Sequence, residues 1–335
     1  MGFAAIRAIA SYLPPQIEKN DVTTRAARAL GIEERHIALA CQAASDLAEE
    51  AAVRLFTRFP VAKESIDFVL LCTQQPDYPL PSTACLVAER LNLPKETGAL
   101  DYNLGCSGYV YGLALAKGLV EAGLSKHLLL LTSSLYSREI GAEDAATKPV
   151  FGDGATATLI ESVESEKPLL DAFVFGTDGK GGSSIIQEVG GSRHPWRTAS
   201  PEMVEDAHGR HSTADIFMDG QEVMLFTLRE VPPMVEKVLH KAGITREELG
   251  YAVFHQPNRF MLDYVQRKCG LQRVPFFNDS ARTGNTVSSS IPLGLEQILE
   301  EEEPKQLTNV LLAGYGVGLS WAGCMADLSH VLGVS

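Results

Sequence analysis

Short apolar runs alternate along this chain with longer stretches in which apolar residues recur every three to four positions. The short runs predict strands and the longer stretches predict helices. The predicted strands cover 3–12, 66–73, 97–102, 127–133, 155–162, 169–177, 250–256, 309–315 and 319–328. The predicted helices cover 42–58, 82–92, 107–123, 220–242, 258–269 and 288–301. This alternation indicates an α/β protein with a mainly parallel sheet and crossover helices.

An internal repeat suggests that the chain contains two related halves. The stretches E-S-I-D-F-V-L-L-C-T-Q-Q-P (64–76) and E-E-L-G-Y-A-V-F-H-Q-P (247–257) are both strands that follow acidic residues and end in Gln-Pro. Each is followed further along by another apolar strand, a Gly-rich turn and a final strand. Two copies of one α/β unit, over 1–165 and 166–335, would explain this pattern.

The composition is that of a soluble globular protein. The chain has 335 residues, 45% hydrophobic and 21% charged, and a single core stops growing at about 250–300 residues. The formal charge is −13 and the basic residues are scattered, which argues against a nucleic-acid or anionic-membrane surface. The N-terminus lacks the pattern of a signal peptide, and no apolar run approaches the ~20 residues that span a bilayer. We therefore expect a cytoplasmic protein.

Neither the cysteines nor the histidines form a metal-binding pattern. The cysteines are spread singly, without a C-x-x-C pair, so neither a disulfide framework nor a zinc site is expected. Five of them lie in apolar patterns that favour a small buried side chain: Cys41, Cys72, Cys85, Cys269 and Cys324. Segment 178–215, rich in Gly, Ser and charge, predicts a surface insertion that could cap an entrance. Its His194, His208 and His211 are interpreted as solvated loop side chains, and no metal is expected.

Cys106 has a different setting. It lies between glycines in D-Y-N-L-G-C-S-G, after the predicted strand 97–102 and before the predicted helix 107–123. Unpaired N–H groups and the dipole at the start of that helix would stabilise a thiolate, and the helix's small residues predict a buried central position. A packed cysteine at a strand–helix corner fits the stretch as well. The flanking glycines leave the thiol open to a ligand and therefore favour a nucleophile.

Three stretches in the second half contain candidates for catalytic roles. His255 ends a strand before a polar turn, where an imidazole is fixed yet presented at the edge of the sheet; a hydrogen-bonded strand-end histidine fits equally well. Asn285 lies in R-T-G-N-T-V-S-S-S-I-P, where a turn asparagine before a Ser-capped helix is a sufficient explanation. In L-L-A-G-Y-G-V-G-L-S-W (311–321) a strand follows the glycines, so the stretch is not a dinucleotide fingerprint. A tight glycine hairpin there could bring backbone N–H groups to an oxyanion.

Together these stretches resemble the β-ketoacyl-acyl-carrier-protein synthase III family of the thiolase superfamily. The resemblance covers nearly the whole chain in order and spacing. It is carried by the stretch around Cys106 and by F-G-D-G-A (151–155), H-Q-P-N (255–258), G-N-T (284–286) and Y-G-V-G-L-S-W-A-G (315–323). The resemblance implies a duplicated five-layer α/β/α/β/α fold, a triad of Cys106, His255 and Asn285, and a homodimer. In that homodimer Leu80 stands where the family places a partner's residue at the acyl pocket.

The reaction implied by the resemblance has two stages and needs neither a metal nor a redox cofactor. Cys106 takes an acyl group from acyl-CoA or an acyl-carrier protein, while the backbone N–H groups of Cys106 and Val317 hold the oxyanion. A malonyl thioester then loses CO2, and His255 and Asn285 donate hydrogen bonds to the resulting enolate, which attacks the acyl group. Fatty-acid or specialised lipid or polyketide biosynthesis is the expected setting.

The chain departs from the family pattern where coenzyme A would bind. Arg25 and Ala29 stand in place of the usual Trp and Arg adenine clamp, Ala145 stands in place of an arginine, and a basic residue is displaced to Arg259. We therefore expect weak acetyl-CoA binding. The alternative function is an acyltransferase that does not decarboxylate, against which Asn285 argues. A thiolase needs a second cysteine in the hairpin, and a non-catalytic subunit would lack the nucleophile, so both are disfavoured.

Overall fold

The computed structural model describes residues 2–206 and 209–332. Its helices are α1 (Arg25–Leu30), α2 (Ala44–Arg58), α3 (Thr83–Arg90), α4 (Gly108–Glu121), α5 (Gly220–Ala242), α6 (Arg259–Lys268) and α7 (Ser290–Glu301). Its first eight strands are β1 (Gly2–Tyr12), β2 (Gln16–Lys19), β3 (Glu34–Ile37), β4 (Phe68–Cys72), β5 (Gly98–Tyr102), β6 (His127–Ser134), β7 (Gly154–Glu164) and β8 (Leu170–Thr177). The others are β9 (Ile185–Ile186), β10 (Met203–Asp206), β11 (Gly209–Ser212), β12 (Phe217–Met218), β13 (Tyr251–Phe254), β14 (Val310–Gly316) and β15 (Ser320–Ala326).

Every helix and strand that the sequence predicted is present, and no predicted end is displaced by more than two residues. The prediction omitted the short helix α1 and the short strands β2, β3 and β9 to β12. These elements have at most six residues. That length is too short for an apolar period to stand out from its surroundings.

Two large mixed sheets form the framework. The first has the order β1-β7-β6-β4-β5 and the second has the order β13-β14-β15-β8. In the first sheet β4 is parallel to β5 and β6, whereas β7 is antiparallel to both of its neighbours. In the second only β13 and β14 are parallel. The expectation of mainly parallel sheets is therefore wrong, because strands buried on both faces look alike in sequence whichever way their neighbours run.

The helices and sheets form five layers. Helix α4 contacts strands of both sheets, as does α7, so these two helices lie between the sheets. Helices α2 and α3 cover the outer face of the first sheet, and α5 and α6 pack together on the outer side of the second. The central position predicted for α4 is confirmed. Its small residues permit this close packing, since a Cβ on Gly112 would lie 2.2 Å from the Tyr102 hydroxyl.

The insertion at 178–215 and the residues just after it form two small antiparallel pairs. Strand β9 pairs with β12, and β10 pairs with β11. The His211 ring packs on Phe217 with 4.9 Å between centroids, while His208 lies outside the described residues. Among the residues that are described, no group of three His, Cys, Asp or Glu side chains is placed to hold a metal ion.

The cysteines do not all have the buried positions that the sequence predicted. Cys72, Cys269 and Cys324 are buried, but Cys41 and Cys85 are exposed, and all are free thiols. Cys41 lies in the turn before α2, and Cys85 lies on the exposed side of α3. The prediction was wrong for Cys41 because its whole turn, with Leu39 and Ala40, is exposed, and for Cys85 because it faces solvent while Ala84 and Val87 face the core. Within the described ranges, no helix is both long and apolar enough to cross a membrane.

Candidate active site

Cys106 lies where the connection from β5 enters α4, and it is only 7% exposed. The hairpin between β14 and β15 packs directly on it. A Cβ on Gly314 would lie 2.7 Å from the Cys106 carbonyl oxygen, and a Cβ on Gly316 would lie 2.9 Å from Cys106 Sγ. Both distances are shorter than real Cβ contacts. The alternating glycines therefore allow the second sheet to bring its backbone against the thiol of the first.

The backbone around the thiol favours negative charge, but burial opposes it more strongly. Desolvation raises the pKa of the Cys106 thiol to about 12, and the backbone N–H groups of Cys106 and Val317 lower it in part. The expectation that the helix terminus alone yields a stabilised thiolate is not met, because the site excludes water. Two N–H groups nevertheless converge on Sγ, which is the arrangement of an oxyanion hole.

His255 directly follows β13 and is 2% exposed. Its backbone N–H donates to the Ala313 carbonyl at 2.8 Å, which extends the parallel ladder by one residue. Its Nδ1 lies 2.8 Å from Ser290 Oγ. Burial lowers the pKa of the imidazole to about 3, against a smaller opposing effect of the Val287 carbonyl. The ring is therefore neutral at physiological pH, with one nitrogen protonated and the other not.

Asn285 is held by backbone bonds to the F-G-D-G-A stretch. Its N–H donates to the Val150 carbonyl at 2.8 Å, and the Gly152 N–H donates to its carbonyl at 3.1 Å. The side-chain Oδ1 accepts the Val287 N–H at 2.8 Å. This bond fixes the orientation of the amide, because only the oxygen can accept. The Asn285 NH2 group is thereby left as the donor.

These groups meet in one cavity of about 220 Å³. Cys106, His255, Asn285 and Val317 all line it, so the structure brings together the candidate triad and the proposed oxyanion residue. The remaining wall is mostly apolar and is lined by Leu30, Tyr136, Ala146, Val150, Phe151, Ile185, Met218, Gly220, Val223, Pro257, Asn258, Met261, Tyr315 and Gly316. Ile185 belongs to the insertion at 178–215 and Met218 lies just after it, so the insertion contributes to the wall.

Leu80 is the one candidate residue that lies apart from this cavity. Its side chain is 82% exposed, and it does not line the cavity of its own chain. Arg25, Ala29 and Arg259 are also exposed, and Ala145 lines a neighbouring depression with α1. The prediction of weak acetyl-CoA binding, which rests on these positions, stays a prediction.

Sequence reasoning missed three buried polar residues at the site. Ser290 contacts His255 as described above. Tyr136 and Tyr315 line the cavity; the Tyr136 hydroxyl donates to Gln74 Oε1, and the Tyr315 ring packs edge-on against His255 with 5.7 Å between centroids. The serine run after Asn285 was the only available signal, and it was interpreted as a helix cap.

Two parts of the sequence match known family descriptions. Residues 100–179 match "3-Oxoacyl-[acyl-carrier-protein (ACP)] synthase III", and residues 239–328 match its C-terminal counterpart. A β-ketoacyl-[acyl-carrier-protein] synthase III from Caldanaerobacter subterraneus is 34% identical over 338 aligned positions, which span 97% of this chain and 98% of the relative. One from Lactococcus lactis is 31% identical, covering 98% and 100%.

Solved structures show the same similarity. A crystal structure of a 3-oxoacyl-(acyl-carrier-protein) synthase III aligns with a TM-score of 0.91 and 43% identity, covering 97% of this chain and 99% of that one. The synthase from Burkholderia xenovorans gives a TM-score of 0.87 with 32% identity, covering 98% and 95%. A priming β-ketosynthase of the R1128 polyketide pathway gives 0.80 with 26% identity, covering 97% of both chains. The duplicated five-layer α/β fold class is therefore confirmed.

Proposed function

Since this chain belongs to the β-ketoacyl-[acyl-carrier-protein] synthase III family, we propose that the cavity around Cys106 is the site of its two-stage condensation. The family makes the chain an acyltransferase of the condensing type, which acts on acyl thioesters in fatty acid biosynthesis. The roles of individual residues are the proposal, and they follow from the geometry around the thiol.

In the first stage, Cys106 attacks the carbonyl carbon of an acyl thioester. The Sγ–C bond forms, the donor's C–S bond breaks, and the thiol proton passes to the leaving thiolate. Burial disfavours a free thiolate beside an imidazolium, so the proton leaves as the carbon is attacked. The N–H groups of Cys106 and Val317, which face Sγ, then hold the tetrahedral oxyanion.

In the second stage, a malonyl thioester occupies the same cavity and loses CO2. The electron pair of the broken C–C bond becomes an enolate, whose oxygen needs hydrogen-bond donors in a water-poor site. The Asn285 NH2 group supplies one donor, because Oδ1 is engaged by Val287. His255 supplies the other from its Nε2–H. The enolate carbon attacks the acyl group, releases Cys106 as a thiolate that takes up a proton, and gives the β-ketoacyl product.

The observation that carries this proposal is the convergence of three distant residues on one enclosed cavity. Cys106 comes from the first sheet's connection, whereas His255 and Asn285 come from the second sheet and the start of α7. None of the three needs a metal or a redox group for the steps above. Acyl-CoA or an acyl-carrier protein therefore takes part as a substrate.

The test is intact mass spectrometry with a panel of acyl-CoAs and acyl-carrier proteins, followed by a labelled malonyl thioester. We expect an acyl adduct that maps to Cys106 and is then converted to a β-ketoacyl product with release of CO2. Adducts that map to another cysteine would reject the nucleophile. Loading on Cys106 without CO2 release would instead favour the acyltransferase that transfers its acyl group to an amine or hydroxyl.

We further propose that the protein acts as a homodimer in which Leu80 reaches the partner's acyl pocket. Leu80 is largely exposed in a single chain and lies outside its own cavity. Tyr78, only two positions earlier, is also exposed, at 57%. An exposed apolar segment of this kind favours burial against another protein surface. Sedimentation of the purified protein gives the oligomeric state directly, and a monomer at working concentration would reject this assignment.

A further inference from the structure

Ser290 makes more hydrogen-bond contacts than its single proton can supply. Its Oγ lies 2.8 Å from His255 Nδ1, 2.9 Å from the Val287 carbonyl oxygen and 3.3 Å from the Gln256 N–H. The residue is 3% exposed, in the first turn of α7. The Gln256 N–H can only donate, so the hydroxyl proton has two possible acceptors, the Val287 carbonyl and His255 Nδ1.

Each choice of acceptor fixes a different tautomer of His255. If Ser290 donates to the Val287 carbonyl, Nδ1 must carry the imidazole proton and donate to Oγ. Nε2 then has a free lone pair and can accept a proton. If Ser290 donates to Nδ1, the imidazole proton lies on Nε2, which becomes a donor. Both arrangements keep the buried ring neutral and leave Nδ1 and the Ser290 hydroxyl paired.

Val287 connects this choice to Asn285. Its φ of 53° lies in the left-handed region, which is rarely occupied by a β-branched residue. In this conformation its N–H binds Asn285 Oδ1 while its carbonyl faces Ser290 Oγ. Strained backbone of this kind persists where surrounding contacts over-determine it, often at functional sites. One turn thus holds the asparagine amide and the hydroxyl that contacts the imidazole.

We propose that Ser290 is a positioning residue that selects the tautomer of His255 for each stage of the condensation. In acyl loading, Ser290 donates to Val287, and Nε2 accepts the thiol proton and passes it to the leaving thiolate. In decarboxylation, Ser290 donates to Nδ1, and the Nε2–H donates to the enolate oxygen. The ring proton changes nitrogen by exchange with water after the first leaving group departs and before the malonyl thioester enters, so the ring is neutral at the start of each stage. This inference rests on the two-stage function proposed above.

The test compares Ser290→Ala with the parent protein in two separate assays, acyl-enzyme mass and labelled CO2 release. In Ser290→Ala, the Val287 carbonyl remains as an acceptor for the imidazole, so we expect the imidazole proton to stay on Nδ1. Acyl loading should persist, while CO2 release should fall about 10²-fold, the lower end of what a positioned acid or base contributes. Ser290→Thr retains the hydroxyl and should restore most of the CO2 release.

A matched control is Ser289→Ala, because Ser289 is equally buried but bonds to Thr132 and the Gly154 carbonyl instead. It should not separate the two stages. The ring-nitrogen shifts of ¹⁵N-labelled His255 report the tautomer directly and should move to the Nδ1–H form in Ser290→Ala. Equal losses in both stages, or CO2 release at the parent rate, would overturn the proposal. Failure of the parent protein to load or condense would instead reject the underlying function.

Discussion

The two large sheets have equivalent strand orders, but the segments that follow their strands place different side chains in the same cavity. The first runs β1-β7-β6-β4-β5, and the second runs β8-β15-β14-β13, followed by a parallel bridge between Ala252 and Phe276. The directions of all four successive pairs agree. In the first sheet the chain continues from β5 to Cys106 before α4. In the second it continues from Phe276 to Asn285 before α7.

The difference between the sheets lies in a few side chains at equivalent places. One position before Gln-Pro, the first sheet has Gln74 and the second has His255. At the start of the central helix, the first has a thiol and the second has an amide. A repeated framework thus supplies fixed positions, and in the proposed function one half supplies the attacking thiol while the other supplies the hydrogen-bond donors. The division of the chain at 165/166 stays a prediction.

The largest effect is expected from removing the thiol of Cys106, which lies at the end of the connection from the first sheet. Cys106→Ala removes the one thiol that lines the cavity among the described residues, so acyl loading should be abolished for every thioester donor. Cys41→Ser and Cys85→Ser, at exposed thiols, should load normally. Intact mass after incubation with acyl donors measures all three variants. A full adduct on Cys106→Ala would show that the nucleophile is not the thiol that follows the first sheet.

Removing the amide donor of the second sheet should affect only the later stage. Asn285→Ala should load acyl groups on Cys106 but lose about 10²–10³ in CO2 release, or about 2.7–4 kcal/mol, as deletions of oxyanion donors do. His255→Ala should impair decarboxylation most and acyl loading less, because the imidazole takes part in both stages. The measurement is labelled CO2 release beside acyl-enzyme mass. If Asn285→Ala releases CO2 at the parent rate, Asn285 is structural and the non-decarboxylating acyltransferase becomes the better reading.

The contact between the two halves can be tested at Gly314. A Cβ there would lie 2.7 Å from the Cys106 carbonyl oxygen and 2.8 Å from Ser107 Cα, and neither backbone atom can move aside easily. Gly314→Ala should lower the free energy of unfolding by about 3 kcal/mol, at the upper end of overpacking effects. Gly118→Ala, where a Cβ meets nothing within 4 Å, is the control. Urea denaturation measures both, and equal stabilities would contradict the close approach.

The buried imidazole should make stability depend on pH below neutrality. His255 has a pKa of about 3 in the folded protein against an ordinary value of 6.5, so below pH 6.5 the unfolded chain binds a proton that the folded chain does not. Stability is then lost as the pH falls, by about 1.4 kcal/mol per unit, or about 2 kcal/mol at pH 5. Urea denaturation at pH 7 and pH 5 should show this loss reduced in His255→Gln. An unchanged loss would mean that the imidazole titrates normally.

The smallest effect is expected at Leu80. If Leu80 reaches the partner's acyl pocket, Leu80→Ala should shift loading towards longer acyl chains. Each additional CH2 that becomes accommodated contributes about 0.8 kcal/mol, or roughly a fourfold change in preference. Competition between acyl donors that differ by one CH2 measures this shift by mass spectrometry. Leu124→Ala, at another exposed leucine (72%), should leave the preference unchanged.

The sequence alone determined the helices and strands of this protein and proposed its reactive residues. Strands such as β4 and helices such as α5 were predicted to within two residues, because apolar periodicity is a local property of the chain. Cys106, His255 and Asn285 were proposed from the order and spacing of their stretches, because the local settings of His255 and Asn285 fit a structural role as well. The family resemblance then connected the three residues before their positions in space were known.

The tertiary structure decided the hydrogen-bond partners, the burial and the pKa values of these residues. The pairing directions of the strands, the thiol pKa of about 12 and the cavity wall all arise from contacts between segments far apart in the sequence. Ser290 is the clearest case, since it lies 35 positions from His255 yet 2.8 Å from its Nδ1. Its local pattern indicates only a helix start. Hydrogen-bond partners and desolvation are properties of the packed site, and no stretch of sequence specifies them on its own.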